Sequence, residues 1–88
     1  MIIYFFGNKD CEICNKVLRE INEQEIGELC KIKFIDAFDD KKQELCDEMG
    51  VDELPHVILL KDDSIVFEEI GHFNVKLLKE KILKENKK

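Results

Sequence analysis

The sequence predicts an α/β domain in the element order β-α-β-α-β-β-α, with a mixed sheet flanked by three helices. Three observations carry that reading. Residues 1–7 (MIIYFFG) and 56–61 (HVILLK) are apolar on both faces, as the central strands of a covered sheet are. From Cys11 the apolar residues recur at three- and four-residue steps, the period of a helix. Residues 65–70 (IVFEEI) follow the second apolar run across Asp62-Asp63, as the returning strand of a hairpin does.

Each element follows from local chemistry. Asn8-Lys9-Asp10 is a polar turn after the first strand. Ile13, Val17 and Ile21, with Cys14 and Leu18, form the inner face of the first helix, and Gly27 stands where a left-handed residue would end it. Residues 31–37 (KIKFIDA) alternate and carry one charged face, which places them near a sheet edge. Asp39 can cap a short helix over residues 41–49, with Leu45, Cys46 and Met49 inward and Gly50 as its stop. Asn74 is a good cap for a last helix whose inner face is Val75, Leu77, Leu78 and Ile82, with residues 84–88 frayed. The first two strands, joined through a helix, must be parallel with a right-handed crossover, and the last two antiparallel.

Composition bounds the function. The 88 residues make one domain, 1–88, and 44% of them are hydrophobic. No apolar run approaches the ~20 residues that a bilayer span needs. A secretory leader is not expected, because no basic segment precedes the first apolar run and no small-residue cleavage site follows it. Four cysteines are too few for a disulfide-stapled secreted scaffold, so a cytoplasmic protein whose cysteines do chemistry is expected. A net charge of −6 disfavours binding to nucleic acid or an anionic membrane. The basic stretch 74–88 interleaves lysines with an apolar stripe and reads as a solvated helix face.

The chemistry centres on Cys11-Glu12-Ile13-Cys14, at the junction of strand and helix. Unsatisfied N–H groups and the dipole at a helix start stabilise a thiolate. Cys11 falls at the exposed end, and Cys14, one turn on, sits below it within reach of a disulfide. Cys30 and Cys46 do not complete a zinc site: they stand alone, and Cys30 lies beyond the far end of a helix ~22 Å long. Both read as small, partly buried apolar residues. His56 reads as a satisfied buried histidine. His72 follows Gly71 in a loop near the cysteines, where it could support Cys11 or touch a substrate.

Over nearly its full length the chain resembles the thioredoxin/glutaredoxin family. The resemblance rests on the apolar strand running into CxxC and a helix, on Gly50-Val51-Asp52-Glu53-Leu54-Pro55-His56 leading into the next strand, and on Gly71 before the last helix. It implies a minimal thioredoxin fold with strand order 2-1-3-4, the first and third helices on one face, and a cis peptide before Pro55. It also implies dithiol–disulfide exchange: Cys11 attacks a partner disulfide, and Cys14 resolves the mixed disulfide to leave a Cys11–Cys14 bond. Leu54, Pro55, Gly71 and His72 are the expected substrate-binding residues. No bound cofactor or metal is expected; the partners are disulfide-containing proteins and an electron donor, and the chain is expected to be a monomer.

The departures from the family pattern are specific. There is no Trp, Asp10 precedes Cys11, and apolar Phe5 or a neighbour stands where thioredoxins bury an acid. Gly71-His72-Phe73-Asn74 lacks the carboxylate with which glutaredoxins meet the amino group of glutathione. The donor is therefore glutathione or a thioredoxin reductase. Asp10 and Glu12 disfavour the thiolate, which favours a stable disulfide and hence a reducing protein. Two rival readings are a glutathione-dependent glutaredoxin and a non-catalytic binding module stapled by its CxxC disulfide.

Overall fold

The computed structural model describes residues 1–87. The elements are β1 (Ile2–Gly7), α1 (Glu12–Glu23), β2 (Lys31–Asp36), α2 (Gln43–Met49), β3 (His56–Lys61), β4 (Ser64–Ile70) and α3 (Val75–Asn86). Short 3-10 turns at Ile26–Glu28 and Asp40–Lys42 complete the order. The sheet order is β2-β1-β3-β4. β1 pairs with β2 in parallel, Phe5 opposite Phe34, and with β3 antiparallel, Phe5 opposite Val57. Both doubly apolar strands are thus central, as their patterning requires, and charged-faced β2 is an edge. The β3–β4 hairpin turns through Asp62 and Asp63, both at positive φ, the primed geometry that suits the twist of two-residue hairpins.

Strand alternation sorts the core into two layers. Ile3 and Phe5 of β1 and Val57 and Leu59 of β3 pack with Cys14, Val17 and Ile21 of α1 and Val75, Leu78 and Ile82 of α3. Phe6, Ile35 and Ile58 face the other way, onto Cys46, with Leu45 and Met49 beside them. The first and third helices share one face of the sheet, and α2 covers the other.

Four expectations are corrected. Ile13 and Leu77 are each 49% exposed rather than core. Each precedes a buried residue, Cys14 or Leu78, and one residue turns a helix by about 100°, enough to leave the inner face. Gly27 does not end α1: the helix closes at Gln24, Glu25 takes the left-handed conformation (φ 56°), and Gly27 lies in the following 3-10 turn. The cause is Ile26, fully buried, which pulls the chain into the core one turn early. The helix expected over residues 41–49 splits, because Asp39 caps a 3-10 turn (Lys41 N–H to its carboxylate, 3.0 Å) and α2 starts at Gln43; Gly50 then ends it at φ 69°.

The last helix does not fray at Lys84. It runs to Asn86, held by buried Glu85, whose carboxylate lies 3.6 Å from Lys61 Nζ and 3.4 Å from Lys81 Nζ. Lys61 also donates to the Glu85 carbonyl at 2.8 Å. Two cations offset the cost of burying that carboxylate. Lys88, the end of the stretch expected to fray, lies outside the described residues. Among the described residues no helix is long and apolar enough to cross a membrane.

Candidate active site

Register places the site. Phe6 pairs with His56, Gly7 with Asp36 and His56 with Ile70, so residues 8–11, 37–39, 51–55 and 71–74 leave the sheet at one end. The loop from β1 to α1 is tied down by short polar contacts. Cys11 N–H donates to the Asn8 carbonyl (3.1 Å), and Asp10 N–H to the Asn8 side-chain oxygen (2.9 Å). The Asn8 amide donates to Asp36 (3.0 Å), and the Asn15 amide to the Lys9 carbonyl (3.0 Å). Gly7 accepts from Ala37 N–H at 2.9 Å, which extends the β1–β2 ladder to the edge of the loop.

Cys11 is the N-cap of α1. Its backbone is extended (φ −90°, ψ 110°), and its sulfur accepts from Cys14 N–H at 3.1 Å, a role usually taken by a serine or aspartate oxygen. Cys11 and Cys14 are disulfide-bonded, with Cα atoms 5.2 Å apart. The two sulfurs are unequally placed: Cys11 is half-buried, Cys14 only 2% exposed within the α1–α3 layer. Cys11 is therefore the more accessible sulfur, at the end of the helix where a thiolate is best stabilised.

Behind Cys14 the packing is tight. A Cβ on Gly7 would stand 2.8 Å from a ring carbon of Phe5 and 3.3 Å from both Cys14 Cβ and Sγ. Gly7→Ala should consequently cost about 1–3 kcal/mol through overpacking. The test is chemical denaturation of both proteins with the disulfide intact; an unchanged midpoint would show that the contact yields freely. Beyond Gly7, between α1 and β2, lies a cavity of about 300 Å³ whose lining includes Phe5, Cys14, Leu18 and Phe34, with Asp36 and Lys9. The Phe5 and Phe34 rings meet with centroids 5.7 Å apart.

Asp36 is the electrostatic pin of the loop. The Phe38 N–H, the Asn8 amide and then the Lys9 charge hold its carboxyl below the ordinary aspartate value. A folded-state pKa below the unfolded one means that the stabilisation is present above the unfolded value, near 3.8, and is lost as pH falls through the folded value. Asn8→Ala should raise the Asp36 pKa, read by carboxyl NMR titration; an unmoved titration would remove Asn8 as a partner of the charge.

The segment that enters β3 at this same end carries the proline. The Leu54–Pro55 peptide is cis, and Gly71, at φ 80°, donates its N–H to the Pro55 carbonyl at 2.8 Å. Leu54 and Cys11 both pack against the α1–α3 layer. His72 is brought to Glu20 (Nε2 to Oε1, 3.1 Å), nine residues or ~13 Å along α1 from Cys11, so its ring is paired on the flank of the helix and not at the disulfide. His56 is 1% exposed on the α2 face of the sheet, and its Nε2 pairs with Glu68 at 2.6 Å while Nδ1 has no partner among the described residues.

The remaining cysteines stand apart from this end. Cys46 is buried in the α2 layer, across the sheet from Cys14. Cys30 precedes the β2 start, where Lys31 pairs with Ile2, about 17 Å along the strand from Gly7. Burial pushes both thiols up from their ordinary values, and Asp47 adds to the effect at Cys46. Among the described residues no group of three or more His, Cys, Asp and Glu side chains is placed to hold a metal ion. Sequence reasoning missed Gly7, Asn8 and Asp36; the one available signal was Asn8 opening a polar turn, a position where asparagine bonds its own backbone.

Comparison with known proteins agrees with this architecture. The structure superposes on thioredoxin 1 of Thermosipho africanus with a TM-score of 0.82, at 21% identity, over 99% of this chain and 96% of that one. Against thioredoxin from Trypanosoma brucei brucei the TM-score is 0.81 at 20% identity, covering 99% of this chain and 75% of that one. Against thioredoxin NaTrxh of Nicotiana alata it is 0.74 at 27% identity, covering 94% and 70%. No family model matches the sequence, and no curated protein does. Strand order, helix placement and these superpositions agree: the chain is a small, glutaredoxin-sized protein of the thioredoxin fold.

Proposed function

We propose that this protein is a thiol–disulfide oxidoreductase that reduces disulfides in partner proteins. The observation that carries the reading is the Cys11–Cys14 disulfide, with one half-buried sulfur at a helix N-cap and one buried sulfur beneath it. In the reduced protein the Cys11 thiolate attacks a substrate disulfide, forming a Cys11–substrate bond and releasing one substrate thiolate, which takes up a proton. Cys14, deprotonated, then attacks the Cys11 sulfur and releases the second substrate thiol. Two electrons pass to the substrate, and the chain is left with its own disulfide. A further dithiol, supplied as glutathione or through a thioredoxin reductase, returns it to the reduced form.

Partly exposed Leu54 forms one wall of the proposed substrate groove, set in place by the fully buried cis-Pro55 behind it, and an extended segment can add along its backbone as a short strand. Gly71 supports that wall through its bond to Pro55, and His72 borders it as a rim residue with its ring held by Glu20. The protein acts as a monomer in the cytoplasm, where a reducing donor is at hand, and needs no bound cofactor.

The test is insulin reduction with NADPH and thioredoxin reductase, or with glutathione, as alternative donors, alongside a redox titration of the pair by alkylation mass spectrometry. Turnover with either donor supports the reading and identifies the donor. A disulfide that stays closed at cytosolic potentials, with no turnover, replaces it with a binding module stapled by Cys11–Cys14.

A further inference from the structure

We propose that the disulfides on which this chain acts lie in cationic protein segments, selected by acids on both sides of Cys11; the inference rests on the exchange chemistry above. Asp10 and Glu12 flank Cys11 on the loop and first turn of α1, while Asp52 and Glu53 precede Leu54 and cis-Pro55 on the facing segment. Because Phe6 pairs with His56, these two segments leave adjacent strands at the same end of the sheet. All four acids are exposed, and none of the four carboxylates has an ion-pair or hydrogen-bond partner among the described residues. Among the loops at this end, residues 8–11, 51–55 and 71–74 hold a single Lys or Arg, Lys9, while the β2–α2 connection adds Lys41 and Lys42 in the turn before α2. A substrate strand laid along Leu54 would run between two pairs of carboxylates that have no ion-pair partner among the described residues.

A second observation points to the same partner. Phe38, on the chain leaving β2 at this end, is 70% exposed, and Ile13, between the two cysteines, is half-exposed. An exposed phenylalanine ring accepts a guanidinium or ammonium group over its face, and an isoleucine takes the methylene stem of Lys or Arg. Unpartnered carboxylates and exposed apolar side chains at one end of the sheet suit basic side chains and disfavour acidic ones. Clefts lined by one sign of charge raise association rates for the opposite sign by tenfold or more at low ionic strength.

The experiment uses the reduced protein and two disulfide peptides of the same length and core, one flanked by Lys and Arg and the other by Glu. Rates of peptide reduction are read by acid quench and chromatography. At about 20 mM salt the basic peptide should be reduced with a second-order rate constant roughly tenfold or more above that of the acidic one, narrowing to about twofold at roughly 0.5 M salt as screening sets in. The double variant Asp52→Asn with Glu53→Gln should lower the low-salt ratio by about threefold. Equal rates for the two peptides at low salt overturn the charge selection and leave the exchange chemistry standing. Failure to reduce either peptide overturns the oxidoreductase reading itself, and a ratio untouched by the double variant removes the proline-side acids from the selection.

Discussion

Cys14→Ser is expected to turn the protein into a trap that accumulates mixed disulfides through Cys11. The substitution leaves Cys11 at the N-cap of α1, so attack on a substrate disulfide proceeds, while the sulfur that would release the product is gone. Serine is close to cysteine in size, so the packing at this buried site is kept, while burial of its hydroxyl costs about 1–3 kcal/mol. Cys11→Ser removes the accessible nucleophile, and turnover should fall by at least about a thousandfold. Mass spectrometry of the trapped adduct locates the bond. An adduct on Cys30, or turnover that persists in Cys11→Ser, would contradict the assignment of roles.

Phe5→Asp is expected to be the most damaging single change in the sheet. Phe5 is buried, its ring lies against Phe34, and the backbone of Gly7 and the cavity beside Cys14 border it. Loss of the ring costs about 3–5 kcal/mol, as large-to-small core changes do. A carboxylate left without a partner there adds to that cost at neutral pH. The pH dependence gives the signature. A carboxyl in this apolar setting has its folded pKa raised above its unfolded value, so the variant suffers least below the unfolded value and loses stability as pH rises through the folded one. Phe5→Ala carries the packing loss without the pH slope. Urea midpoints of both variants from pH 4 to 8 separate the two terms, and parallel curves would show that the introduced carboxyl reaches water.

Much of this fold was legible in the chain, and the pattern of what was not is instructive. The two strands apolar on both faces had to be central, and the charged face of residues 31–36 had to lie at an edge; both follow from which faces water can reach. Asn74 and Asp39 were recognisable as caps because capping is a contact over two or three residues. Ile13 and Leu77 misled, because apolar character identifies a helix but its inner face is set by the sheet beneath it. Gly27 was credited with ending α1, when the burial of Ile26 decided the matter. At the site, the CxxC spacing was visible at once, and the cis peptide before Pro55 came from family resemblance. The Asn8–Asp36 bond joins residues 28 apart, and the His72–Glu20 contact residues 52 apart, distances over which local pattern carries no information.

The two faces of the sheet are unequally anchored, and this bears on how the groove can move. Between the sheet and α1 and α3 lies a continuous layer from Ile3 to Ile82, whereas the α2 layer rests on Phe6, Ile35, Cys46 and Ile58 and on a helix of seven residues. Few buried apolar contacts mean a low free energy of local opening, so the amides of α2 should exchange with solvent through openings that leave α1 and α3 closed. Val51 packs only on this thinner layer, while Leu54 touches both. The cysteine side of the groove is thus held by the strong layer and the proline side hangs partly from the weak one. Substrates of differing width can be met by displacing α2 and the segment after it, with the reacting sulfur fixed in place.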